Sequence, residues 1–120
     1  MSLLDQKVEN AVEATQALIK LLERCGEYGW AGRFHPILDA LNAYNLDQAV
    51  QVYKAIPMPN MGGFLDLYIS KQNGHNAEDY EAENKLLEQC RGAVSKSIGN
   101  LRVYMQYQLN HPLVQVPNVT

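Results

Sequence analysis

Charge is scarce in this 120-residue chain: only 19% of its residues are Asp, Glu, Lys or Arg, and the formal net charge is -3. The basic residues, from Lys7 to Arg102, stand singly rather than in a stripe. A polyanion needs a concentrated positive field, so nucleic acid is excluded as a partner. Long apolar runs are also missing, which predicts no membrane span and no membrane partner. The opening residues Met1 to Asn10 are polar and partly acidic and lead into no apolar core segment, so no secretory signal is expected. Cysteine is nearly absent: Cys25 and Cys90 make neither a disulfide framework nor a CxxC pair. Together these deficits predict a cytoplasmic protein.

What is abundant is hydrophobic material, 47% of the residues. That is enough to offset the entropy of ordering a chain of this length. One domain spanning residues 1–120 is expected, with 110–120 as an extended tail, since ordinary domains run to about 100–150 residues.

Apolar residues recur at spacings of three and four from Leu4 to Cys25, predicting a first helix over about Leu3 to Cys25. Ser2 or Asp5 is suited to cap it and Gly26 to stop it. Trp30, Phe34, Ile37, Leu38, Leu41 and Tyr44 share a second helical face. Pro36 is expected in an early turn, which leaves open whether Trp30 to Phe34 belong to that helix. Asn45 is placed to cap a third helix, Leu46 to Ile56. Two prolines and two glycines make Pro57 to Gly63 a shaped loop. Phe64 to Ile69 alternates like a strand but has no strand to pair with, so a short helix is expected. Ser70 to Ala77, with Asn73-Gly74, reads as an exposed turn.

A long last helix is predicted from a cap at Asn76 to about Leu109, ended by His111-Pro112. It would reach roughly 50 Å against roughly 30 Å for the first helix. Its excess length implies a bend at Gly92 or Gly99, a close backbone approach at those glycines, or pairing with a second copy. The predicted fold is all-α, a four- to five-helix antiparallel bundle with a long C-terminal helix.

The catalytic inventory is thin. Both cysteines lie on apolar stripes, as small hydrophobes do. His35, His75 and His111 read as surface residues, and no spacing suggests a metal site or a cofactor. Met61-Gly62-Gly63 lacks the pattern of a phosphate-binding loop. Two features suggest binding. Met58, Met61 and Phe64 flank a loop that cannot hide all of them, predicting an exposed apolar patch. Glu78, Asp79, Glu81 and Glu83 form an acidic, solvated start to the last helix, where the helix dipole favours negative charge.

Leu21-Leu22-Glu23, Gly26-Glu27, Gly29-Trp30-Ala31, Met61-Gly62-Gly63-Phe64-Leu65-Asp66-Leu67 and Asn84 in the last helix follow one another in an order that resembles a family of small helical bacterial proteins of uncharacterised function. That family carries a Gly-Met-Gly-Ser-x-Asn-Asp-Leu-like motif and is associated with toxin–immunity loci. Asn60, Gly63 and Leu65 depart from the motif, whereas Met61, Gly62, Phe64, Asp66 and Leu67 follow it. The resemblance implies a non-enzymatic immunity protein that binds a cognate toxin. Met58, Asn60, Met61, Phe64, Asp66, Glu78, Asp79 and Glu81 are the expected partner-binding residues. A self-associating bundle, dimeric through the last helix, is the main alternative. An enzyme built on Asp66 with His35 or His75 ranks last.

Overall fold

A computed structural model describes residues 2–58 and 63–110. They form four helices: α1 (Leu3–Arg24), α2 (Tyr28–Asn42), α3 (Leu46–Ala55) and α4 (Tyr80–Asn110). Single 3-10 turns at Phe64–Asp66 and Lys71–Asn73 interrupt the long link between α3 and α4, and no strand is present among the described residues. The short helix expected over Phe64 to Ile69 is therefore one turn followed by extended backbone. No helix of the described residues is long and apolar enough to cross a membrane.

α1 begins where Ser2 Oγ accepts from the Asp5 N–H at 3.0 Å and the Asp5 carboxylate accepts from the Ser2 N–H, a reciprocal capping box. It ends in a Schellman closure: Gly26, at φ 87°, donates to the Glu23 carbonyl, and the Glu27 N–H to the Leu22 carbonyl at 2.7 Å. The same closure ends α2, with Tyr44 in the left-handed position at φ 56° and Asn45 bonded back to Ala40. A tyrosine there is strained by roughly 1–2 kcal/mol. Its hydroxyl donates to Asp5 of α1, an anchor that lowers the Asp5 carboxyl and raises the Tyr44 phenol relative to their ordinary values.

Glu27 caps α2 by accepting from the Trp30 N–H, so Trp30 to Phe34 belong to this helix. Pro36 consequently falls mid-helix rather than in an early turn, and the bond it would make to Gly32 is lost. Burial of Ala31, Phe34, Ile37, Ala40 and Leu41 along one face holds the helix together across that gap. Asn45 stands at the N-cap of α3, but its side chain makes no capping bond.

Short connections make α1, α2 and α3 alternate in direction, and α4 runs back along α1. Arg24 meets Glu83 at one end and Lys7 lies over the Tyr104 ring, 5.9 Å away, at the other. α1 therefore flanks most of α4, and the excess length is smaller than the lengths alone imply. The remainder lies at α4's first turn, which packs on the link through Tyr80 and Asn84. No backbone comes close at Gly92 or Gly99: a Cβ there would meet nothing within 4 Å. Asp79, not Asn76, caps α4, its carboxylate accepting from the Ala82 N–H at 3.1 Å.

Leu18, Leu22, Phe34, Ile37, Leu41, Phe64, Ile69, Leu87, Val94, Ile98 and Leu101 fill one continuous core. Within the buried set, Thr15 is fully enclosed and its hydroxyl has no hydrogen-bond partner. Removing an orphan hydroxyl while keeping the branched shape removes a desolvation cost. Thr15→Val should stabilise the fold by about 1 kcal/mol, read as a higher urea midpoint at unchanged slope. A lower midpoint would mean the hydroxyl is satisfied.

Candidate functional site

α3 and α4 touch only sparingly, and the link between them is drawn into the space. Two backbone bonds pinch the loop at its base, Phe64 N–H to the Pro57 carbonyl at 2.7 Å and Leu65 N–H to Met58 at 3.3 Å. The pinch turns Phe64 inward. Its ring sits 4.9 Å from Phe34 and 5.1 Å from Trp30, between the two. Arg91 of α4 caps the cluster: its guanidinium lies 5.6 Å over the Phe64 ring, and Nη1 donates to the Phe64 and Leu67 carbonyls at 3.0 and 3.3 Å.

What remains beside this cluster is a half-open cavity of about 590 Å³. Tyr53 of α3, Met58 and Leu65 of the link, and Glu88, Arg91, Gly92 and Ser95 of α4 border it, and the fully buried Leu18, Phe34, Phe64 and Val94 lie beneath. Its size is in the range of a binding pocket.

The predicted binding residues fall into separate places. Met58 is half-buried in the cavity wall. Phe64 is only 2% exposed, which corrects its assignment to an exposed patch: three aromatic rings bury more surface together than any one does at the surface. Asn60 and Met61 lie outside the described residues. Asp66 is exposed on its turn. Leu65 and Tyr68, not among the expected partner-binding residues, are the large apolar residues that the described part of the link exposes.

Glu78 and Asp79 border a different hollow at the head of α4, with Arg24 and Glu83, and Glu81 is exposed on the same turn. Asp79 and Arg91 are about 18 Å apart at 1.5 Å per residue. The acidic start is only partly solvated. Glu83 is turned inward, accepting from Arg24 Nε and Nη2 at 2.9 to 3.1 Å and from the Cys25 thiol at 3.0 Å. Arg24 foremost, then the thiol, hold the Glu83 carboxyl below the ordinary carboxylate range.

Burial, with the neighbouring Glu83 carboxylate, pushes the Cys25 thiol up to about 11, and burial also raises Cys90. A nucleophilic cysteine requires the opposite shift. Ellman's reagent should therefore leave both thiols unlabelled in the native protein and titrate two per chain once denaturant is added. Rapid native labelling would contradict this placement.

His75 is not the surface residue its turn-rich surroundings suggest: it is 4% exposed. Nδ1 accepts from the Ser70 N–H at 3.0 Å, so the ring proton lies on Nε2, which donates to Glu27 Oε1 at 2.8 Å. The Tyr80 hydroxyl donates to the His75 carbonyl, and the Asn76 N–H to the Cys25 carbonyl. Asn84 pairs with both the N–H and the carbonyl of Ile69, at 2.7 and 2.8 Å. This network fastens the link to the C-terminal end of α1 and to the first turn of α4. His35 is half-exposed and pairs with Glu23 at 3.0 Å. Each described histidine is thus engaged by a glutamate. No group of three or more His, Cys, Asp or Glu side chains suited to a metal ion occurs among the described residues.

No protein family, curated protein or solved structure was found to match the chain. The site is therefore read from its own geometry.

Proposed function

We propose that the protein is a protein-binding module of the immunity type, acting in the cytoplasm by direct binding to a bacterial toxin. The observation that carries this reading is the open cavity bordered by exposed Leu65 and half-buried Met58, with exposed Tyr68 on the same link. Apolar residues exposed together beside a concave surface mark interaction sites more often than packing accidents. The resemblance of the segment Met61 to Leu67 to proteins of toxin–immunity loci points the same way. The toxin's working surface would be occluded by the link and α4. Glu78, Asp79 and Glu81, exposed at the head of α4, would speed encounter with a basic partner.

Co-expression with the product of a neighbouring toxin gene tests the reading. The wild-type chain should restore growth and co-purify with the toxin. Replacing Leu65 and Tyr68 together by aspartate should abolish both while circular dichroism and melting stay unchanged. Failure of the wild-type chain to protect overturns the reading.

A second reading has an observation of its own. Val103, Tyr107 and Leu109 are exposed along the last turns of α4, and Leu3 is exposed at the start of α1. A second copy packing on that end would make the protein a self-associating bundle. Light scattering decides it: a monomer at high concentration removes the dimer.

A further inference from the structure

The turn that places His75 also carries the chain's single Asn-Gly pair, Asn73-Gly74. Asn73 is exposed at the end of the Lys71–Asn73 turn, and Gly74 follows it in the left-handed region at φ 83°. Gly74 has no side chain to shield its amide nitrogen, and a Cβ there would meet nothing within 4 Å. The Asn73 carboxamide and the nitrogen that follows it in the chain are therefore neighbours, open to water and sterically unobstructed. Hydrogen bonds alone hold them apart. Asn73 Nδ2 donates to the Tyr68 carbonyl at 2.9 Å, and the Gly74 N–H donates to the Lys71 carbonyl at 3.0 Å. The Asn73 N–H is shared between the Ser70 hydroxyl and the Ser70 carbonyl, at 3.2 and 3.1 Å. The same turn brings the His75 ring to the Ser70 N–H.

We propose that Asn73 is a modification site, converted spontaneously and irreversibly to aspartate and isoaspartate, and that the conversion unfastens the link from Glu27. In the first step the Gly74 nitrogen gives its proton to hydroxide and bonds to Asn73 Cγ; the Cγ–Nδ2 bond breaks, and ammonia leaves with a proton taken from water. The succinimide so formed takes up water at one of its two carbonyl carbons, and the bond from that carbon to nitrogen breaks. Opening at Cγ leaves aspartate in an ordinary chain. Opening at the main-chain carbonyl leaves isoaspartate, whose chain runs through Cβ and Cγ. Water and its hydroxide are the only co-reactants, and nothing is oxidised or reduced. Either product puts a carboxylate where Nδ2 donated to the Tyr68 carbonyl, and isoaspartate also lengthens the chain between Ser70 and His75. The bond from the Ser70 N–H to the ring depends on that length, and the ring's bond to Glu27 on its placement. In the closed turn the bonds made by Nδ2 and by the Gly74 N–H must open before the attack. Conversion therefore proceeds from the open turn, at a rate set by how often the turn opens.

The full chain, held in mildly alkaline buffer and followed by peptide mass spectrometry, tests this, because the mass registers the replacement of NH by O at a single residue. Conversion should appear at Asn73 before any other asparagine and yield both products. It should run about tenfold to a hundredfold slower than in the same chain unfolded in guanidinium chloride, the protection expected of a locally opening turn. Asn73→Gln, whose longer side chain closes such a ring far less readily, should stay unconverted at this position. In the converted protein the Ser70 amide should exchange hydrogen faster than in the fresh protein, while the amides of α1 keep their rates. The modification site is overturned if another asparagine converts first, or if native Asn73 is still intact when that hundredfold span has passed. Equal rates in the native and unfolded chains would overturn control by the turn, and unchanged exchange at Ser70 after full conversion would overturn the unfastening. No arm of the experiment involves a partner, so its failure leaves the immunity reading standing and the failure of that reading leaves this result intact.

Discussion

Phe64→Ala should destabilise the protein by about 3–5 kcal/mol, the cost of emptying an aromatic site in a packed core. On a domain of this size that is a fall in melting temperature of roughly 10–20 °C. The loss has three sources. Phe64 is 2% exposed, so its ring contributes close to its full transfer free energy. It makes tilted ring contacts with both Trp30 and Phe34, each of which loses a partner. It also supplies the face over which the Arg91 guanidinium lies, so its removal loosens the α4 side chain that bonds the Phe64 and Leu67 carbonyls. Leu65→Ala, one residue on and 53% exposed, should change stability by less than about 0.5 kcal/mol. Urea denaturation of the two variants side by side checks the contrast. Equal midpoints would mean that Phe64 does not hold the link to the core.

That contrast shows where the sequence is legible and where it is not. α1 reads correctly almost to the residue because its signals are local: an apolar stripe, a serine with an aspartate three residues on, and a glycine past the end. The start of α2 is obscured by Gly29 and Gly32, and Pro36 reads as a first-turn residue, because local propensity opposes what burial of Ala31 and Phe34 imposes. Glycines and prolines around residue 60 announce a loop, but not which of its side chains turns inward. Phe64 finds Phe34 and Trp30, thirty or more positions earlier, and no periodicity encodes that meeting. The same holds at the head of α4, where the acidic run is visible but the inward turn of Glu83 onto Arg24 and Cys25 depends on the antiparallel pairing with α1.

The cavity was hidden differently. Glu88, Arg91 and Ser95 are ordinary helix-surface residues in sequence, and Gly92 raises the question of a bend rather than of a gap. A glycine directly after Arg91 and one turn after Glu88 is the local hint. Its meaning depends on α3 standing away from α4, which the length of the link permits and the sequence does not state. The candidate site thus lies where local patterns are weakest, in the segment whose conformation is set by contacts across the whole bundle.

The second large effect is expected at His75, whose ring ties the link to Glu27 at the start of α2. His75→Ala should cost about 2–4 kcal/mol. The substitution leaves the Ser70 N–H without its acceptor, Glu27 without its donor, and a void where a 4%-exposed imidazole stood. Glu27 keeps 20% of its side chain exposed, so water can partly rehydrate its carboxylate, which limits the loss. The damage should also be local in a measurable way. Ser70 and Asn76 amides, bonded to the ring and to the Cys25 carbonyl, should exchange hydrogen markedly faster than those of α1 and α2. Glu27→Gln supplies the discriminating comparison. With the amide oxygen in the place of Oε1 the Nε2–H keeps its acceptor, while the NH2 replaces Oε2 and the capping bond from the Trp30 N–H is lost, so this variant should lose about 1 kcal/mol. If the two variants proved equally unstable, the charge of Glu27 rather than the geometry of the ring would be holding the link. If neither changed exchange at Ser70 and Asn76, the network would not fasten the link at all. The expected order, with His75→Ala below Glu27→Gln, follows from one asymmetry: the alanine variant strands buried groups, and the glutamine variant gives up a helix cap but keeps every hydrogen bond the ring requires.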